Sequence, residues 1–177
     1  MEKKLQTPSQ TVGPYFAYGL TPEQYGYDFK SLATPDLVED PHAEDVITIL
    51  GQVMDGEGSI ITDAMVEIWQ HDQTTQRFGR CGTGTDKENR FIFRTVKPQP
   101  VEGHAPFLSV ILFMRGQLIH SYTRIYFSDE MELNEKDETF LSVPESRRAS
   151  LIAQKKGSVY EFNIYMQGEK ETVFFDV

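Results

Sequence analysis

What most narrows the fold is a run of strand-length segments, each closed by turn-forming residues, with no recurring helical period between them. Ile47, Ile49 and Val53 alternate with Thr48, Leu50 and Gln52, and this segment stops at DGEG, residues 55–58. Segments near 64–70 and 91–97 are rich in β-branched and aromatic side chains, which suit a pleated, half-buried surface. Residues 108–114 are apolar apart from Ser109 and read as a central strand covered on both faces. A tight turn at Arg115–Gly116 leads to a further strand over 118–127, and a last pair near 159–166 and 171–177 is joined by QGEK. The expected class is all-β: an antiparallel β-sandwich forming a single domain over 1–177.

Two segments depart from that pattern. Residues 1–45 carry Pro8, Pro14, Pro22, Pro35 and Pro41 with little periodicity, and read as an extended N-terminal arm with loops ahead of the sandwich proper at 46–177. Near 143–156 one connecting helix is expected. Ser142 and Glu145 have capping-box spacing, Pro144 fits a first turn, Lys155 and Lys156 suit the negative end of the dipole, and Gly157 can close it. The acidic run DEMELNEKDE at 129–138 reads as a solvated loop ahead of that helix.

Charge and cysteine content exclude several functions. With 27 acidic against 17 basic side chains, a net charge of −10 disfavours nucleic acid and anionic membrane as partners. It also repels anionic substrates, so any such substrate needs a local cation. The opening MEKKLQTPSQ has charge but no apolar stretch after it, so no signal peptide is expected. The single cysteine, Cys81, allows no internal disulfide and suits a reducing cytoplasm. It sits in GRCGTGTD, which reads as a glycine-rich turn without a base partner. No GK[ST] follows, so a phosphate loop is not expected.

His42, His71, His104 and His120 form no H-x-H, H-x-x-x-H or cysteine-linked zinc spacing. They read as loop and strand-end residues, and Trp69 reads as core. In the strand after Gly116, alternation puts His120, Tyr122, Arg124 and Tyr126 on one face, and Ile119, Thr123, Ile125 and Phe127 on the other. Alone, Arg124 reads as a surface or interface ion pair.

TPSQTVGPYF at 7–16, DAMVEIWQ at 63–70, FRTVKP at 93–98 and HAPFLSVILFMRG at 104–116, taken together, resemble the intradiol aromatic-ring dioxygenases. LIHSYTRIYFSDE and the ending GEKETVFFDV narrow the resemblance to the alpha subunits of protocatechuate-cleaving members built from alpha and beta chains. It spans nearly the whole chain and is weakest over 17–45. It implies the intradiol type of β-sandwich. It also implies a ferric site of two tyrosinates and two histidines: one tyrosine after the E-x-W-Q strand, one after R-T-x-K-P, and an H-x-H on the next strand. None of the four is present. No tyrosine occurs between Tyr27 and Tyr122, Val101 stands at the second tyrosine position, and the H-x-H positions read Phe107-Leu108-Ser109. The chain also departs from the alpha subunits in its short loop at 71–82 and in Phe107.

The resemblance therefore implies no catalytic and no metal-binding residue in this chain, with Fe(III) held by a beta-subunit partner. It implies that an aromatic acid substrate binds at the alpha/beta interface, where alpha supplies part of the wall. Carried over by motif, the substrate-binding residues are Thr11, Gly13, Pro14 and Tyr15 from the arm and Arg124 from TRIYF. Gly13 lets backbone approach a flat ring, Pro14 fixes the arm's direction, and a guanidinium recognises a carboxylate. The alternative is a transthyretin-like binding or structural sandwich with no enzymatic partner.

Overall fold

The computed structural model describes residues 11–13, 15–40, 45–71, 76–101 and 103–176. Residues 7–10 of the arm, Pro14 and His42 lie outside these. A short helix α1 (Phe16–Leu20) and a 3-10 turn at Glu23–Tyr25 interrupt the arm. The sandwich then begins with β1 (Val46–Met54), β2 (Met65–His71), β3 (Gln76–Gly82), β4 (Arg90–Val96), β5 (Phe107–Phe113) and β6 (Ser121–Phe127). Three short helices follow, α2 (Met131–Asn134), α3 (Glu138–Ser142) and α4 (Glu145–Arg148), then β7 (Ile152–Lys156), β8 (Val159–Glu161) and β9 (Ile164–Tyr165).

Hydrogen bonds connect the strands in the order β3-β2-β5-β6-β7-β8-β1-β4, with β9 also on β1. Inward residues from the two halves of this path meet in one core. Val66, Ile68, Leu108, Val110, Ile125 and Phe127 come from the first half, and Ile49, Val53, Phe91, Phe93 and Tyr160 from the second. Apolar residues at every second position explain this directly: β1 buries alternate residues along its whole length. Gly51 is required there, because a Cβ would lie 1.7 Å from the carbonyl oxygen of Phe162. The sandwich is mainly antiparallel, as expected, but β1–β8, β1–β9 and β6–β7 pair in parallel.

The helix expected over 143–156 does not form. Ser142 ends α3, and its hydroxyl donates to Thr139 O rather than capping anything. The α3 cap is Asp137, which accepts from Phe140 N at 3.0 Å. After α4 a 3-10 turn at Ala149–Leu151 buries Leu151, and residues 152–156 are strand β7 instead. Side-chain burial outweighed the capping pattern: Ala153 is wholly enclosed in the sandwich core. Gly157, at φ 66°, serves the β7–β8 turn.

Four further expectations are corrected. Residues 76–82 form a full strand against β2, not a loop, so Cys81 is a buried strand residue. Gly79 and Gly82 hid this strand from propensity, yet both face side chains that a Cβ would strike, Leu37 and Tyr25 respectively. The run 129–138 is largely exposed, as expected, but it is not a loop: it forms α2 and the start of α3, buries Asn134 and Asp137, and sets Asp129 against Lys97, Lys155 and Tyr160. Strand β6 starts only at Ser121, which leaves Ile119 and His120 exposed in the preceding turn. The last pair is shorter than expected, since residues 171–176 make isolated bonds such as Phe175 N to Tyr122 O without forming a strand.

Candidate functional site

Strand alternation gives β5 and β6 a second face, turned away from the core. In cross-strand register, Phe107 faces Tyr126, Ser109 faces Arg124 and Ile111 faces Tyr122. The row continues across β2 and β3, where Trp69 faces both Ser109 and Phe78. Trp69 is not core. It is 43% exposed, with its ring tilted on Phe78 at 5.5 Å. Likewise β5 is covered fully on one face only, with Phe107, Ser109, Ile111 and Phe113 half-buried on the other.

Arg124 is the centre of this face. Its guanidinium lies over the Phe107 ring, 4.2 Å from the centroid, a cation–π contact. Nη1 donates to the Tyr126 hydroxyl at 3.4 Å, and Nε is buried without a partner. Burial presses the guanidinium toward losing its charge, but the Tyr126 and Tyr122 hydroxyls facing it outweigh this, and its pKa lies above the ordinary value. Among the described residues no carboxylate reaches Arg124 within ion-pair distance. The contrast with its neighbours is sharp. Arg80 pairs with Glu67 at 2.7 Å, Arg90 with Asp86 at 3.0 Å, and Arg94 lies against Asp36. A half-buried cation with aromatic surroundings and no internal anion can receive an external carboxylate.

A buried polar chain stands behind it. The Tyr126 hydroxyl donates to Asp137 Oδ1 at 3.2 Å. Burial, only partly countered by Arg124, pushes the Tyr126 pKa well up, so the hydroxyl keeps its proton. Asp137 also accepts from Phe140 N and Ala105 N at 3.0 Å each, and His104 Nδ1 lies 3.2 Å from Oδ2. Asp137 caps α3, a role the sequence reading did not assign to it. Its contacts with Tyr126, Ala105 and His104 join distant segments, and no local pattern shows them.

The arm reaches the far end of the same face. Val12 N donates to Gln117 O at 3.0 Å in the β5–β6 turn, and the Phe16 ring packs on Phe113 at 5.2 Å. Thr11 and Gly13 are exposed, Tyr15 is 76% exposed beside Tyr18, and Pro14 lies outside the described residues. Phe113 is four residues along β5 from Ser109, or about 13 Å at strand rise. Among the described residues, no hydrogen bond or ring contact joins Thr11, Gly13 or Tyr15 to Arg124. The structure sets both groups along one face without bringing them together.

Other motif residues have structural work. Thr95 of FRTVKP donates to Gln70 of VEIWQ at 2.6 Å, with both side chains wholly buried. Lys97 binds Asp129 at 3.0 Å and lies against Glu130. Cys81 is buried and its thiol is pushed up to about 11 by desolvation, so it is not a poised nucleophile. His71 and His120 are exposed at strand ends.

Comparison with known proteins fixes the relationship. No protein-family model matches the chain. It is 47% identical to the protocatechuate 3,4-dioxygenase alpha chain of Burkholderia cepacia, over 97% of this chain and 98% of the relative. It is 35% identical to the Pseudomonas putida alpha chain, over 97% and 96%. The chain belongs to the protocatechuate 3,4-dioxygenase alpha-chain family. Among solved structures, the dioxygenase domain of a carbohydrate-binding fusion from Streptomyces sp. SirexAA-E matches 92% of this chain and 98% of its own, at TM-score 0.56 and 21% identity. Hydroxyquinol 1,2-dioxygenase from Pseudomonas putida DLL-E4 matches 80% and 64%, at TM-score 0.57 and 14% identity. These likenesses support the fold, an intradiol β-sandwich, and they do not favour a transthyretin-like module.

Intradiol dioxygenases are iron-dependent, but the residues present here do not fit a ferric ion. Val101 and Phe107 offer no donor atom, and Ser109 Oγ is engaged with Tyr122 OH at 3.0 Å. The Arg124 cation in contact with Phe107 opposes a trivalent metal, which needs anionic oxygen donors. Among the described residues no three His, Cys, Asp or Glu side chains converge.

Proposed function

We propose that this chain is the non-catalytic alpha subunit of a protocatechuate 3,4-dioxygenase. The complex inserts both atoms of O2 into 3,4-dihydroxybenzoate and cleaves between the hydroxyl-bearing carbons, giving 3-carboxy-cis,cis-muconate. Fe(III) belongs to the beta subunit, and the substrate sits at the alpha/beta interface. No helix among the described residues is long and apolar enough to cross a membrane, and we place the complex in the cytoplasm.

The observation that carries this reading is Arg124: a half-buried cation with no carboxylate partner among the described residues, in a chain of net charge −10. Its role is to take the carboxylate of the aromatic acid and so orient the ring toward the partner's metal. Trp69, Phe78, Ile111 and Phe113 give the same face an apolar surround for the partner. Thr11, Gly13 and Tyr15 close the far side of the pocket once the partner is seated, and Pro14 of the same motif is assigned to the substrate with them. An obligate interface of this kind buries roughly 2,000 Å2 or more.

Arg124→Ala in the reconstituted complex tests the reading. Hydrogen bonds to charged groups contribute about 1.5–3 kcal/mol, so kcat/KM for 3,4-dihydroxybenzoate should fall about tenfold to a hundredfold. Catechol, which lacks the carboxylate, should lose much less. Equal losses for both substrates would remove the substrate role.

A further inference from the structure

We infer that Tyr126 and Asp137 are positioning residues for substrate recognition, holding Arg124 in a fixed direction while leaving its charge unspent. The inference rests on the substrate reading of Arg124 and extends it to two buried groups that touch no substrate.

A phenol hydroxyl has one proton to give. Tyr126 gives it to Asp137 Oδ1 at 3.2 Å, so toward Arg124 the oxygen can only accept. Donation to a carboxyl group also strengthens that oxygen as an acceptor, since linked hydrogen bonds polarise one another. Asp137 is wholly buried and held by two backbone amides, so the tyrosine oxygen is anchored to rigid structure. The Phe107 ring supports the guanidinium from its face.

A carboxylate placed directly on Arg124 would fix it equally well and would occupy the donors the substrate needs. That is the arrangement at Arg80, where Glu67 Oε1 takes both Nε and Nη2 at 2.7 Å. At Arg124 the acid is set one hydroxyl further back. The neutral oxygen of Tyr126 takes one donor, and the positive charge stays uncompensated. The device is orientation without neutralisation.

Tyr126→Phe removes only the hydroxyl and keeps the packing of the ring against Phe140 and Phe107. In the reconstituted complex we expect KM for 3,4-dihydroxybenzoate to rise about three- to tenfold, the range of one ordinary hydrogen bond, with kcat and the catechol parameters within about twofold. Asp137→Asn keeps one oxygen able both to cap α3 and to accept from the Tyr126 hydroxyl, as Oδ1 does, so KM should move less than in Tyr126→Phe. Added to Arg124→Ala, Tyr126→Phe should cause no further loss, because the guanidinium it positions is gone. A purely structural role would lower both substrates alike and add in full to Arg124→Ala; either result overturns the inference. If Arg124→Ala alone fails to discriminate the substrates, the substrate reading falls and the positioning role falls with it. In the isolated chain, the Arg124 Nε–H resonance gives a readout that does not depend on assembly. It should be ordered and slowly exchanging, and broadened or faster-exchanging in Tyr126→Phe. No change there also overturns the inference.

Discussion

Two faces of one strand behave in opposite ways. On the inner face of β6, Thr123, Ile125 and Phe127 are wholly buried in the sandwich core. On the outer face, Tyr122 and Arg124 are half-buried, and only Tyr126 is closed over, by Phe140, Val143 and Leu151 of the helical segment. The inner face is complete within this chain. Among the described residues the outer face holds a cation without a counter-ion and exposed aromatic surface, and the proposed function gives that face to a partner and a ligand. On the proposed reading, residues one position apart serve stability and recognition separately.

The largest effect should come from exchanging those roles. Ile125→Ala should cost the isolated chain about 2–5 kcal/mol in urea unfolding, through lost burial and the cavity left behind. Arg124→Ala should cost under about 1 kcal/mol in the same assay. Similar losses for the two would dissolve the distinction between the faces. Next, Trp69→Ala should weaken association with the catalytic partner by about 2 kcal/mol, roughly thirtyfold, since exposed aromatic anchors concentrate interface energy. The isolated mutant should unfold within about 1 kcal/mol of the parent. Sedimentation of the co-expressed pair reads the first and denaturation the second. Unchanged association would move the partner off this face.

A smaller effect lies away from both faces. Burial raises the Asp129 carboxyl, but hydrogen bonds from Lys155, Lys97 and Tyr160 outweigh it and hold its pKa at about 2. The unfolded value is about 3.9, so the folded chain binds this proton more weakly. The shift corresponds to about 2.6 kcal/mol, which solvent screening at this exposed residue reduces to about 1–2 kcal/mol; it is complete above about pH 5 and lost as pH falls toward 2. Asp129→Asn should therefore lower stability near neutrality and flatten the acid limb of the unfolding profile. An unaltered acid limb would show that the Lys97–Asp129–Lys155 cluster contributes nothing measurable.

Much of this was legible from period-two alternation. It located β1 and placed Arg124 with Tyr122 and Tyr126 on one face of β6, while β-branched and aromatic content located β2 and β4 and an apolar run located β5. It failed where burial or a distant partner overrides local pattern. Gly79 and Gly82 gave β3 weak strand propensity, although the sandwich needs their missing side chains. Ser142 and Glu145 imitated a cap whose helix gave way to the pairing of β7 with β6 and β8. Trp69 suggested core because large aromatics usually are, yet alternation on β2 turns it outward. The Tyr126–Asp137–His104 chain joins three segments, and only the fold brings them together.

The central claim is that this chain serves a metal site it does not itself contain. Iron content, visible absorption and ring-cleaving turnover, measured on the isolated chain and on its complex with a homologue bearing two tyrosines and an H-x-H, test it most directly. The isolated chain should hold no stoichiometric iron and cleave no 3,4-dihydroxybenzoate, while the complex should carry one ferric ion per pair and turn over. Tyrosinate-to-iron charge-transfer absorption in the isolated chain, or turnover without the partner, would contradict it.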